Sequence, residues 1–513
     1  MDVLGNLLVG FAGALSLQNL ALALVGTTLG SLVGVLPGLG PATTVALLLP
    51  LTYVFDPTGA LVLFAGIYYG GMYGGSTTAI LLNVPGETAS VPTTLEGFPM
   101  AKSGRAGAAL ATAAIGSFVA GTLSTVGITF LAPAMSAVAK LIQPAEYVAI
   151  MVLAFVTVTS LVGRSVVRGL CSLFLGIAVG MIGIDSLTGQ ARYAFGVPEL
   201  YDGIEVVALA VGLFAIAEAL YTVARHRDVT DEPIPLRGRI RMNREDWARS
   251  WRPWLRGTAI GLPIGALPAG GAEIPTFLSY NLERRLTKHP EEFGKGAIEG
   301  VAGPEAANNA AFSGVLMPLL TLGIPTSATA GVLLIAFQIY NVQPGPQLFD
   351  TQPVLVWTLI ASLYIGNVML LVLNVPLIPL WIKILKLPTP ILTTGILVFA
   401  ILGAYATAQN VTDVLIAIAF GLIGFVMRRT GYPVAPLILG AVLGPMLETQ
   451  FRRALAFSEG DLSVFVTRPI AATILTLALI ALVGPAFLRR SQSRARGGRT
   501  ADAVPFRASS GPS

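Results

Sequence analysis

Apolar residues run along this chain in long blocks rather than in the narrow stripes of a soluble helix, and the blocks recur nearly from end to end. The clearest lie near 107–135, 145–163, 203–224, 354–382, 391–408, 412–427 and 467–488. Blocks of this kind can cross about 30 Å of hydrocarbon. In lipid every backbone N–H and C=O must be paired inside the protein, and runs this uniform lack the alternation of barrel strands, so they read as helices. The length criterion predicts an all-α polytopic membrane protein of roughly eleven to thirteen membrane segments. The run around Leu4–Leu24 is interrupted by Ser16, Gln18 and Asn19, which predicts an interfacial amphipathic piece leading into the first buried helix. Met1–Asp2–Val3 lacks the Lys/Arg-rich start of a cleaved signal, so the first helix is expected to be retained.

Composition agrees with this reading. Of 513 residues, 54% are hydrophobic and 12% charged, against roughly 25% charged in a soluble domain, and the mean hydropathy is +0.75. One cysteine, Cys171, excludes an internal disulfide and any thiol-based metal cluster, and in its apolar segment it is expected to pack. His226 and His289 both fall in polar stretches, which argues against a histidine proton relay or metal site inside the membrane. The net charge of +5 is a topology signal, not a sign of nucleic acid. Basic residues concentrate between Arg225 and Arg256 and again in Arg489, Arg490, Arg494, Arg496 and Arg499. Under the positive-inside rule both stretches are expected on the cytoplasmic side.

The central basic stretch separates two halves that resemble one another. Gly26, Gly30, Gly34 and Pro37 correspond to Gly257, Gly261, Gly265 and Pro268, an offset of 231 (257 − 26). A second block, Leu82-Asn83-Val84-Pro85, matches Leu322-Gly323-Ile324-Pro325 at an offset of 240 (325 − 85), so the intervening loop is nine residues longer in the second half (240 − 231). Paired halves interrupted at matching places by Gly and Pro are the sequence pointer to a secondary transporter whose site lies where the interruptions meet. Inverted repeats are expected. The division is 1–225 first repeat, 226–256 basic cytoplasmic linker, 257–460 second repeat, 461–490 an extra C-terminal membrane helix and 491–513 a disordered cytoplasmic tail.

Candidate chemistry follows the interruptions. In Leu36-Pro37-Gly38-Leu39-Gly40-Pro41 the prolines remove backbone donors and the glycines admit unusual conformations, so a broken helix or hairpin tip is expected within the membrane. Thr43 and Thr44 then fall in the first turn of a half-helix whose free amides and dipole suit a carboxylate. Gly26, Gly30 and Gly34, four residues apart, instead favour close helix packing. Tyr68 to Thr78, with Gly75, Ser76 and Thr77, is too glycine-rich for a lipid-facing helix and is expected to line a cavity. Freed carbonyls around Asn83, Pro85 and Gly86 could hold Na⁺. Glu87 is either a solvated turn residue or, deeper in the membrane, a coupling-ion ligand. In the second half Gly271, Glu273, Thr326 and Ser327 flank the interruptions. Asn308 and Asn309 either bind substrate or join helices, and Glu305, like Glu299, is either an ion ligand or part of the polar loop with Glu291, Glu292 and Lys295.

These blocks resemble a known family. Gly34-Val-Leu-Pro-Gly-Leu-Gly-Pro41, Tyr69-Gly-Gly-Met-Tyr-Gly-Gly-Ser-Thr77, Asn83-Val-Pro-Gly-Glu87, Glu96-Gly-Phe-Pro-Met-Ala-Lys102, Phe293-Gly-Lys-Gly-Ala-Ile-Glu-Gly300, Pro304-Glu-Ala-Ala-Asn-Asn-Ala310 and Leu322-Gly-Ile-Pro325 look like the TctA large permease subunit of tripartite tricarboxylate transporters. The resemblance spans about Gly26 to Arg468. It implies a small membrane subunit (TctB-like), a periplasmic solute-binding protein (TctC-like), and ion-driven uptake of carboxylates such as citrate across a bacterial inner membrane. Ala269 and Thr326 stand where the family usually has glycine. That leaves citrate one candidate among di- and tricarboxylates and aromatic acids.

The expected function is therefore a permease working by alternating access, with substrate at Gly38, Gly40, Pro41, Thr43, Thr44, Gly75, Ser76, Thr77, Gly271, Asn308, Asn309, Thr326 and Ser327. Asn83, Pro85, Gly86, Glu87, Glu273 and Glu305 are expected to serve the coupling ion, Na⁺ or H⁺. No cofactor and no metal beyond Na⁺ is expected, and no Gly-x-x-x-x-Gly-Lys-Ser/Thr loop is present for ATP. A passive anion channel, an intramembrane enzyme and a membrane scaffold are the rival classes; an enzyme would need a nucleophile with its base or a His/carboxylate metal site.

Overall fold

The computed structural model describes residues 2–36, 39–162, 165–185, 188–224, 234, 240–267, 271–384 and 388–483. Pro37, Gly38, Pro268, Ala269, the tail 491–513, the end of the extra helix beyond 483 and most of the basic linker, including His226, therefore lie outside the described residues. The chain folds almost wholly as helices: α1 Val3–Ala14, α2 Leu17–Val35, α3 Pro41–Leu48, α4 Pro57–Leu82, α5 Val91–Met100, α6 Ala106–Ala139, α7 Pro144–Val162, α8 Val166–Gly180 and α9 Val206–Ala224 make the first half. The second half holds α10 Arg244–Ala266, α11 Glu273–Leu286, α12 Glu299–Leu322, α13 Ala328–Ile339, α14 Pro353–Ile384, α15 Thr389–Ala408, α16 Val411–Thr430, α17 Ala435–Phe457 and α18 Pro469–Val483. Among the described residues six helices are long and apolar enough to cross a membrane, and six shorter ones are strongly apolar. A two-stranded hairpin, Gly183–Ile184 against Ala191–Arg192, is a local addition to the all-α fold.

The centre of the molecule is two tightly packed helix pairs. In the first half α2 lies on α4; a Cβ at Gly26, Gly30 or Gly34 would collide with the carbonyl of Leu63, Ile67 or Gly71. In the second half α10 lies on α12, and a Cβ at Gly257, Gly261 or Gly265 would collide with the carbonyl of Gly303, Ala307 or Ala311. The glycines are 231 apart and their carbonyl partners 240 apart (303 − 63), the same two offsets seen along the sequence. Small residues at four-residue spacing let the backbones touch, and packing of this kind holds helices together where lipid gives no hydrophobic drive. The glycine-rich run of α4 is one continuous helix because protein surrounds it: residues 59–82 are buried throughout. Helix α12 is buried from Glu299 to Thr321. The two central helices meet where Tyr68 and Tyr69 enclose Phe312, each ring 4.8 Å from it between centroids.

Toward the rim the burial reverses, and large apolar side chains such as Val372, Phe399, Leu402, Leu422 and Ile480 stand exposed. Large apolar side chains exposed in such number suit hydrocarbon, not water. Cys171, expected to pack, is exposed on α8. Ser16 ends the break after α1 by capping α2, accepting a bond from the Asn19 amide. Arg249 near the start of α10 binds Glu299 (2.8 Å) and Glu292 (2.6 Å), and its guanidinium holds the Glu292 carboxyl below the usual range.

Candidate functional site

Both halves are interrupted twice. The first interruption precedes α3 and α11. Helix α3 begins with Pro41 at its first turn, and Gly40 before it offers no side-chain cap and has no neighbour within 4 Å of where a Cβ would stand. Thr43 turns its hydroxyl to the Phe214 carbonyl (3.4 Å) and Thr44 to that of Gly40 (3.3 Å), so both hydroxyls are spent on the protein's own carbonyls. In the second half Gly271 takes a left-handed conformation (φ 71°), and a Cβ there would press on the Ser327 side chain.

The second interruption ends the two central helices in the same way. Asn83 (φ 56°) closes α4 and Gly323 (φ 69°) closes α12, both left-handed. Four residues on, Glu87 (φ −139°, ψ 166°) and Ser327 (φ −144°, ψ 166°) are extended and start the next helical turn. Ser327 caps α13 by accepting from the Ala330 amide (3.2 Å) and shares a 3.1 Å hydrogen bond with the Tyr68 hydroxyl. Between these points Gly86 packs so closely that a Cβ would strike the Gly34 carbonyl and the Gly75 backbone. Thr326, at the matching place, donates its hydroxyl to the Gly265 carbonyl at 3.1 Å. That carbonyl lies within the last turn of α10, where helical partners run out.

Polar side chains tie the interruptions of one half to the other. Asn308 on α12 donates to Glu87 Oε1 (3.0 Å), Thr88 donates to Glu273 Oε1 (2.5 Å) and Thr93 on α5 donates to Glu305 Oε1. Asn309 reaches away from that face, donating to Ser117 Oγ on α6 (2.7 Å) and to the Glu305 carbonyl. The buried Glu96 is held by the backbone amides of Gly294, Gly296 and Ala297 and by the Tyr280 hydroxyl (2.8 Å).

Beside Glu96, two sets of acids stand out: buried ones paired with arginine, and three near the interruptions, Glu305 buried and Glu87 and Glu273 half-buried, that are not. Asp246, Glu218, Glu283, Glu299 and Glu146 each face an arginine. Among the described residues Glu87, Glu273 and Glu305 have no basic partner within ion-pair distance; hydroxyls and an amide are what they accept from. Carboxylates left without a counter-charge inside a membrane are costly and mark ion or substrate pathways.

Of the candidate residues, the structure brings together Gly75, Gly86, Glu87 and Asn308, then Glu273 through Thr88, and Gly271 with Ser327. Glu305 lies within α12, one turn from Asn308 and outside the polar loop. Asn83 is exposed, Pro85 half-buried, and Ser76 spends its hydroxyl on the Tyr73 carbonyl inside α4; Thr77 is buried in the same helix. Tyr68, at the start of the run expected to line a cavity, joins the cluster, and so do Ser90 and Thr93, which the candidate set lacks. Their signal was in the chain, since Ser90 and Thr93 follow Glu87 at three-residue spacing.

Comparison with known proteins gives three findings. The model of the family described as "Tripartite tricarboxylate transporter TctA family" matches residues 20–439. A curated relative from Agrobacterium vitis, "Uncharacterized 52.8 kDa protein in TAR-I ttuC' 3'region", is 46% identical over 485 residues, 94% of this chain and 96% of its own length. A second from the same organism, "Uncharacterized protein in TAR-II ttuC' 3'region", is 48% identical over 223 residues, 44% of this chain and 92% of its own. No solved structure matches.

Proposed function

Because the chain belongs to the tripartite tricarboxylate transporter TctA family, and so is a membrane transport protein, we propose that it is the large permease subunit of a binding-protein-dependent secondary transporter importing di- or tricarboxylates on an ion gradient. A small TctB-like membrane subunit and a TctC-like solute-binding protein are its partners. It works in a bacterial inner membrane with the basic linker on the cytoplasmic side. The halves are inverted repeats that exchange access about the interruptions, and the ion acts by changing the relative stability of the outward and inward states.

The observation that carries this reading is the matched pair of interruptions, each ending a fully buried central helix and each bonded to the other half through Tyr68–Ser327, Asn308–Glu87 and Thr88–Glu273. Such links lie where a rearrangement of one half against the other must act. The uncapped start of α3 at Gly40–Pro41 and the start of α13 at Ser327 supply amides for the substrate carboxylates. Glu87, Glu273 and Glu305 supply negative charge for the ion.

The test is uptake of labelled di- and tricarboxylates into vesicles holding both membrane subunits, with the matching binding protein added, with and without Na⁺ and proton gradients. Saturable uptake that collapses with one gradient is expected, and Asn308→Ala should lower it about tenfold by cutting the link to Glu87. Flux that does not saturate and ignores both gradients would mean a passive channel and overturn the proposal.

A further inference from the structure

Between α5 and α12 two hydrogen-bonded rungs leave a gap. Thr93 donates to Glu305 Oε1 at one end and Asn308 donates to Glu87 Oε1 at the other. Because the two segments run past each other with Glu87, Ser90 and Thr93 on one and Asn308 and Glu305 on the other, Ser90 falls between the rungs. Three oxygens in this gap are buried and have no hydrogen-bond partner among the described residues: Ser90 Oγ, Glu305 Oε2 and Asn308 Oδ1. Their residues are 0%, 1% and 1% exposed. Buried polar atoms of native proteins are nearly always satisfied, so three together call for an explanation.

Neither amide flips nor missing donors supply it. Beside an ionised Glu87, which only accepts, Asn308 turns its NH₂ to the carboxylate, and this points Oδ1 away from it. Thr93 uses its one hydroxyl hydrogen on Glu305 Oε1. Ser90 has a hydrogen to give but makes no bond to either of the other two atoms. Three buried oxygens without a partner between the two rungs are what a shared hard cation, held at roughly 2.3–2.6 Å, would satisfy. A single bound proton bridges two oxygens and leaves the third unmatched. The Gly75 backbone closes the gap on the α4 side, since a Cβ there would meet Ser90 Oγ at 2.9 Å and Glu87 Cγ at 3.6 Å.

We infer that Ser90 Oγ, Glu305 Oε2 and Asn308 Oδ1, with the Glu87 carboxylate adjoining, form a binding site for a small monovalent cation, Na⁺. Two carboxylates with no basic partner among the described residues supply the charge, and a serine hydroxyl and an amide carbonyl supply neutral oxygen. This selects a hard ion over a soft one. The inference rests on the transport reading above and deepens it, assigning Asn308 to the ion rather than to the substrate. The site draws on both halves, Ser90 and Glu87 from the first and Glu305 and Asn308 from the second, so occupation clamps the turn leading into α5 against α12.

The test uses the purified full-length permease in detergent, with no carboxylate and no binding protein. Binding of ²²Na⁺ and the thermal midpoint are measured against Na⁺, with choline keeping ionic strength constant. Saturable binding with one Na⁺ per chain at this site and a Na⁺-specific rise in the midpoint are expected. Ser90→Ala, a small change that leaves the fold intact, should weaken Na⁺ about tenfold, and Glu305→Gln by about a hundredfold or more. Wild-type protein that binds no Na⁺, or a Ser90→Ala and Glu305→Gln pair that binds it unchanged, overturns the inference. If Na⁺ binding fails while uptake stays proton-driven, the site is wrong and the permease reading stands. If Na⁺ binds here as stated and no carboxylate is taken up, the site stands and the transport reading falls.

Discussion

The interruption after α4 and the one after α12 follow one backbone path and carry different chemistry. Asn83 and Gly323 reverse the chain with left-handed torsions, and Glu87 and Ser327 then leave with nearly equal φ and ψ. At that shared position the first half places a carboxylate and the second a helix-capping hydroxyl. A carboxylate at the start of a helix excludes an anion and invites a cation, whereas a neutral cap leaves the positive end of the dipole for an anion. On the proposed reading, one backbone shape recurs in both halves, and the side chain at the shared position assigns the first interruption to the ion and the second to the substrate.

Exchanging those side chains should break the division, with the largest effect on uptake. Ser327→Glu puts a negative charge at the proposed carboxylate position and against Tyr68. Uptake should fall about a hundredfold or more while the protein still purifies, in line with a like charge repelling the substrate at a half-buried position. Glu87→Ser should spare substrate binding and weaken the dependence on the cation, since Ser90, Glu305 and Asn308 remain. If Ser327→Glu keeps uptake within about threefold of the parent, the second interruption does not face the substrate.

Much of this was legible in the chain. Hydrophobic blocks near 107–135, 354–382 and 412–427 became α6, α14 and α16 because block length alone reports a buried or lipid-facing helix. The stripe Gly26, Gly30 and Gly34 showed packing, since a four-residue period of small residues has one steric use. What sequence did not reveal was partnership across long separations. Nothing local in Glu305 says that it meets Thr93, or in Asn308 that it meets Glu87, because those contacts depend on which helix faces which. Thr43 and Thr44 looked like donors for a ligand, yet nearby carbonyls take both hydroxyls. The Glu96 cage likewise needs loop 293–297 brought to α5, which no spacing announces.

A second contrast lies one residue earlier, at Gly86 and Thr326. The first half has no room there, so Gly86→Ala drives a methyl into the Gly34 carbonyl and the Gly75 backbone. Both are backbone atoms of packed helices and cannot swing aside. The expected loss is about 2–3 kcal/mol, seen as a lower thermal midpoint in detergent and poorer recovery of monodisperse protein. An unchanged midpoint would mean that the α2–α4 contact gives way more easily than its counterpart.

The mirror change should be milder. At Thr326 the second half has room for a side chain, and the hydroxyl serves the Gly265 carbonyl just before α10 ends. Thr326→Gly removes one buried hydrogen bond and leaves a small gap, whereas Thr326→Ser keeps the donor and loses only the methyl. The glycine variant should therefore lose about 1 kcal/mol and the serine variant less, read as a graded shift in thermal midpoint. If the glycine variant is as stable as the parent while serine is not, the hydroxyl contributes nothing at this carbonyl. The difference between the two halves at this position would then reduce to space alone.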